Sequence, residues 1–171
     1  MNLLYLHTLY ADSIEPLFAD NAGPSTRAAP ASAGDMYGTF GVSAYSYTGD
    51  WDGTQIPNYM YDVSVGRIGN SWVPSSGDYW PGSAYRMKFF AYAPKDNEAY
   101  RLSGREASGA PTISCTVPDD VADQQDLLVA ASGELPGNSN TPVSLTFHHA
   151  LTAVKFVCGS DMKAGTVKRG R

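Results

Sequence analysis

From Ala84 to Tyr92 the chain reads "AYRMKFFAY", and this run restricts the possible folds more than any other stretch. Tyr85, Met87, Phe89 and Ala91 share one parity, and Ala84, Arg86, Lys88, Phe90 and Tyr92 share the other. Side chains alternate between the faces of a strand, so the first half has one polar face while the second half is apolar on both. Such a strand enters a sheet half covered and finishes buried on both sides. Trp80 and Pro81 lead into it as a turn, and Pro94, which has no N–H for a ladder, ends it.

The same period recurs along the chain. "TFGVSAYSY" (39–47) alternates Phe40, Val42 and Ala44 with Gly41, Ser43 and Tyr45, the pattern of a half-buried strand. "YMYDVSV" (59–65) sets Tyr59, Tyr61, Val63 and Val65 on one face and Met60, Asp62 and Ser64 on the other. "GRIGNSW" (66–72) predicts a turn into a short strand around Trp72, hence a hairpin. Further on, "TISCTV" turns Ile113, Cys115 and Val117 inward, and "LLVAAS" is a short apolar run. In "PVSLTFHHALTAVKFVC" the apolar parity of Val143 to Leu151 differs from that of Val154 to Cys158, which implies a bulge, a kink or two strands meeting near Ala150 to Ala153. The count is about seven strands at irregular spacing, with no long helix and no fixed repeat. Gly (17), Pro (11) and Tyr (11), with only 17% charged residues, supply turns and pleated surface, so the fold class is all-β.

At 171 residues the chain suits one ordinary domain. Residues 19–38 are rich in Ala, Gly, Pro and Ser without apolar periodicity and read as an exposed connector. The expected organisation is a leader and connector over 1–38, a sandwich-sized domain over 39–158 and a tail over 159–171. A strong strand so near the end of the chain suggests a piece of a longer protein.

A net charge of −5, with basic residues clustered only in the terminal "VKRGR", argues against nucleic-acid binding, which needs phosphate-neutralising charge. No run reaches the ~18 consecutive apolar residues of a membrane span. The opening "MNLLYLHTLYADS" lacks a cationic start, and His7 interrupts its apolar run, so it does not read as a signal peptide. Cys115 and Cys158 form no CxxC pair, which argues against zinc; they read either as small buried hydrophobes or as a disulfide.

The search for catalytic chemistry finds no GxSxG elbow and no phosphate-cradling glycine loop. His148 and His149, adjacent on a strand, point to opposite faces and cannot chelate one metal together; one is expected in the core and one in solvent. Asp119, Asp120, Asp123 and Asp126 lack the spacing of a calcium loop and read as a solvated turn. No catalytic residue, metal site or cofactor is therefore assigned. Trp51, in a Gly and Asp loop among several tyrosines, is the one candidate ligand contact, of the kind that stacks on sugars.

Several segments, taken in order, resemble a known family: "STRAAP" (25–30), "TFGVSAYSY", "WPGSAYRMKFFAYAP" (80–94), "DQQDLLVA" (123–130) and "VSLTFHHALTAVKF" (143–156). The chain is similar over this span to the N-terminal domain of the fimbrillin-like proteins of Bacteroidales. The resemblance implies a transthyretin-like, Greek-key β-sandwich and a structural or adhesive subunit of a cell-surface, outer-membrane-associated fimbria. It also implies partners: other fimbrial subunits, joined by strand addition into a groove opened by proteolysis after an arginine. Arg27 is the matching arginine, with "SIEPLFA" (13–19) as the strand to be displaced, although no lipobox cysteine accompanies them. The competing reading is a surface module on the same scaffold that binds a carbohydrate or host protein through Trp51.

Overall fold

The computed structural model describes residues 37–69, 71–120, 123–139 and 141–151, together with the backbone of residues 6–10. The described residues form ten strands: β1 (Leu6–Tyr10), β2 (Thr39–Tyr47), β3 (Met60–Ile68), β4 (Ser71–Pro74), β5 (Arg86–Ala93), β6 (Tyr100–Leu102), β7 (Ile113–Cys115), β8 (Leu128–Ala131), β9 (Leu135–Pro136) and β10 (Val143–His149). The fold is an all-β sandwich whose main sheet curls and closes on itself. Its order is β2-β3-β4-β1-β10-β8-β5, with β5 pairing back onto β2 and β9 appended to β5; β6 and β7 form a separate hairpin.

β5 ends up where its sequence pattern places it. One edge pairs with β2 from Arg86 to Tyr92, and the other pairs first with β9 and then with β8. Between those two partners Ser132 fills the break: its Oγ accepts from the Phe89 N–H at 2.9 Å, and its own N–H donates to the Phe89 carbonyl at 2.9 Å. Met87, Phe89, Ala91 and Ala93 face a core shared with Phe40, Val42, Ala44, Met60, Val65, Leu128, Ala130, Val143, Leu145 and Phe147. On the opposite face Tyr92 joins a second cluster with Tyr100 and Leu127, against which Leu102 and Ile113 of the β6–β7 hairpin pack.

Several expectations change. β2 is buried on both faces rather than half-buried, because a loop and the hairpin connection cover its outer side: Trp51 lies 5.1 Å from the Tyr45 ring, and the Tyr45 hydroxyl donates to the Gly109 carbonyl at 2.9 Å. In β3 the uniform parity fails. Its register against β2 jumps, with Val42 opposite Val63 but Ala44 opposite Met60, so that Met60 and Val65 are both in the core. At this bulge Asp62 has φ of 51°, a conformation tolerated by short polar side chains. Neither Cys115 nor Val117 points inward; β7 lies on the outside of the barrel, where both are exposed. β6 and β9 are too short to announce themselves by alternation. β1 falls within the stretch assigned from sequence to a leader.

Candidate functional site

Closing a curled sheet removes its exposed edges, and here the closure depends on one short strand. β1 sits between β4 and β10. It runs parallel to β10 with Leu6 opposite Val143 and Tyr10 opposite Phe147, and it meets β4 antiparallel at Leu6–Trp72. Every other stave of the ring comes from the stretch Thr39 to His149, whereas β1 lies on the far side of residues 11–36. Without β1, the edges of β4 and β10 would face each other across a gap one strand wide.

The floor of that gap is apolar and aromatic. Val143, Leu145 and Phe147 of β10 are almost fully buried, while Ser144 between them is exposed. Phe40, fully buried on β2, spans beneath: its ring centre lies 5.2 Å from Trp72 of β4 and 5.3 Å from Phe147 of β10, both at steep angles. Tilted and edge-on pairs of this kind are the favoured aromatic geometry. They tie the two walls together from below.

One end of the seam is polar. The His149 Nδ1 lies against the Asp126 carboxylate, and the Tyr37 hydroxyl donates to the Asp126 carbonyl at 2.8 Å. Burial, and then the Asp126 charge, raise the Tyr37 phenol above its ordinary value. Tyr37 follows residues 11–36 directly and Tyr10 pairs with Phe147, so both ends of that connector meet the barrel at the same pole.

The residues singled out from sequence are distributed as follows. Arg27 and the segment 13–19 lie outside the described residues, and the strand that pairs in the seam is Leu6–Tyr10. Trp51 is half-buried on the outer face of β2 and β5. Its ring meets Tyr45, Tyr47 and Phe90 at 5.1, 5.6 and 5.8 Å, Lys88 Nζ stands 4.9 Å from its centre, and its backbone N–H donates to Glu134 at 3.4 Å. Arg86 bonds Asp50 at 2.5 Å, with Glu134 Oε2 at 3.3 Å in an ion contact that lacks hydrogen-bond geometry. Burial and then Glu134 push the Tyr47 phenol up to about 12. Neither His148 nor His149 is in the core: they are the last two residues of β10, and both are exposed. Cys115 carries a free, exposed thiol, so it is not the buried hydrophobe its neighbours suggest; Cys158 lies outside the described residues. Among the described residues no three potential ligands converge on a metal position.

The sequence pattern of a family described as fimbrillin-like matches residues 26–169. The chain belongs to the fimbrillin-like family. Its match begins beside Arg27, takes in β2 to β10 and leaves β1 outside. The fimbrium subunit Fim1C of Phocaeicola vulgatus is 29% identical over 145 residues, covering 74% of this chain and 38% of that protein. The crystal structure of a fimbrial protein from Bacteroides vulgatus superposes with a TM-score of 0.62 at 25% identity, covering 87% of this chain and 45% of the other. This chain thus spans less than half the length of either relative.

Proposed function

We propose that this fimbrillin-like domain is a subunit of a cell-surface, outer-membrane-associated fimbria and that it assembles by strand replacement at the seam between β4 and β10. The observation that carries the reading is the position of β1, which closes the ring from beyond a long connector. A cut in that connector would leave β1 held by its ladders alone. Arg27 lies in the connector, and cleavage after it would let β1 depart and uncover two ladder edges with an apolar floor. A strand from a neighbouring subunit would restore the ring: main-chain hydrogen bonds give affinity, and the floor gives selectivity. The names of the two relatives, a fimbrium subunit and a fimbrial protein, support the same role. The domain works by shape and strand pairing, without catalysis.

The test is an unboiled SDS gel of the gene product taken from its native surface, with the mature N-terminus read by mass spectrometry. The expected result is a heat-sensitive ladder of multimers whose subunits begin at Ala28, and a monomer from the Arg27→Ala variant. A monomer with an uncut N-terminus in the parent would overturn the proposal.

A further inference from the structure

β7 has an open edge. Among the described residues it pairs only with β6, antiparallel, through Ile113–Leu102, Ser114–Arg101 and Cys115–Tyr100. Two bonds extend that ladder: the Ser103 N–H donates to the Thr112 carbonyl at 2.8 Å, and the Thr116 N–H donates to the Ala99 carbonyl at 2.9 Å. Main-chain groups alternate between the two edges of an antiparallel strand, so Thr112, Ser114 and Thr116 turn theirs toward β6. Ile113, Cys115 and Val117 turn theirs outward, where no described strand meets them. Open edges are usually blunted by charge. β6 follows that rule with Arg101 exposed at its centre, whereas "TISCTV" (112–117), bounded by Pro111 and Pro118, holds no charged residue. The edge also carries apolar side chains in solvent: Cys115 is exposed, and Val117 is 65% exposed.

We propose that this edge pairs with β7 of a second copy of the chain, antiparallel about a twofold axis at Cys115, so that two hairpins form one four-stranded sheet. The occupant follows from self-complementarity. Centred on Cys115, the pairing sets Ile113 opposite Val117 of the second copy, Ser114 opposite its Thr116, and the two Cys115 residues opposite each other. Like meets like: β-branched aliphatic side chains pair on one face and hydroxyls on the other, and cross-strand pairs of these kinds are favourable. The main chain fits as well. Residues with outward groups oppose residues with outward groups, the condition for exchanging both hydrogen bonds of a pair. A register centred on Ser114 would also meet that condition, but it sets Val117 against Pro111, which has no N–H. A twofold contact uses the same patch on both copies and closes at two. One short ladder is a small contact, so single chains pair weakly; repeated copies along two fibres would multiply it. The contact uses neither β1 nor the seam and is independent of strand replacement.

The test uses the full chain carrying Arg27→Ala, which keeps cleavage of the connector out of the result. Sedimentation velocity from ~1 μM to ~1 mM should show a reversible equilibrium in which the mass doubles, with slower hydrogen exchange at Cys115 in the dimer. Cys115→Pro removes one outward N–H at an edge position where proline is tolerated, and Val117→Lys places a charge on the edge; both should stay monomeric. Diamide oxidation reads the register in a Cys158→Ser background. Opposed Cα atoms in an antiparallel pair lie roughly 4.5 or 5.5 Å apart, within disulfide reach, so Cys115 should link to Cys115 of the second copy. With Cys115→Ser added, Ser114→Cys chains should link to Thr116→Cys chains and not to themselves. A parent that stays monomeric to ~1 mM overturns the proposal, as does a dimer that persists in both edge variants. Ser114→Cys chains that link to themselves overturn the register centred on Cys115.

Discussion

The aromatic floor of the seam is the feature whose removal says most. Phe40 is fully buried and touches one ring on each wall, Trp72 at 5.2 Å and Phe147 at 5.3 Å. Phe40→Ala deletes a whole buried ring and leaves a cavity bordered by β2, β4 and β10, which costs about 3–5 kcal/mol. Phe40→Leu keeps most of the apolar volume and loses chiefly the two ring contacts, each worth about 0.5–1.5 kcal/mol, so its cost is about 1–3 kcal/mol. Urea unfolding of the full chain measures both, because the shift in midpoint multiplied by a common slope gives the loss directly. A cycle of Phe40→Leu, Phe147→Leu and the double variant isolates the pair and should give a coupling of about 0.5–1.5 kcal/mol. If Phe40→Ala unfolded within about 1 kcal/mol of the parent, or the cycle showed no coupling, the floor would not be tying the walls together.

Gly41, near the start of β2, lies under the Tyr92 ring, where an added Cβ would sit 2.5 Å from Cε1 and 2.8 Å from the Asp62 Oδ1; Gly41→Ala should lose about 1–3 kcal/mol by the same urea assay. Ser132→Ala leaves the buried Phe89 N–H without its 2.9 Å partner and should cost about 1–3 kcal/mol, with faster hydrogen exchange at Phe89 as the specific sign. Burial, helped by its hydrogen bond to Asp62, raises the Tyr92 phenol far above 10, and burial pushes Tyr47 and Tyr100 up to about 12. In the unfolded chain these phenols lose protons near pH 10, so above that pH the unfolded state binds fewer protons and stability falls. Stability is fully present below pH 10, and between about 10 and 12 tyrosinate absorbance should appear together with loss of β-sheet circular dichroism. Tyrosinate appearing near pH 10 while the fold persists would show that these rings are not held as described.

Much of the barrel is legible in the sequence, and the reason is the period of two. The run from Ala84 to Tyr92 announces a strand buried on both faces at its far end, and the structure places β5 there with Phe89 inward and Tyr92 under the hairpin. Alternation also finds β2, the β3–β4 hairpin and β10. It fails at Asp62, where one extra residue in a bulge reverses every later parity, and at Cys115, whose strand has the right pattern but lies outside the barrel. Trp51 shows a different limit. Its loop composition suggests an open ring, but Tyr45, Tyr47, Phe90 and Lys88 from two strands gather around it, and no local signal records that.

The sequence by itself determined that the chain is all-β, which strands carry the core, and, through an ordered set of motifs, the fimbrillin-like resemblance that the family match over residues 26–169 supports. Only the tertiary structure decided that the ring closes through Leu6–Tyr10 and where its seam lies. The physical reason is that alternation reports burial of one side of one strand, which is local. Which strand sits beside which is realised in main-chain hydrogen bonds, and those groups are the same for every residue type but proline, so they leave little trace in the sequence.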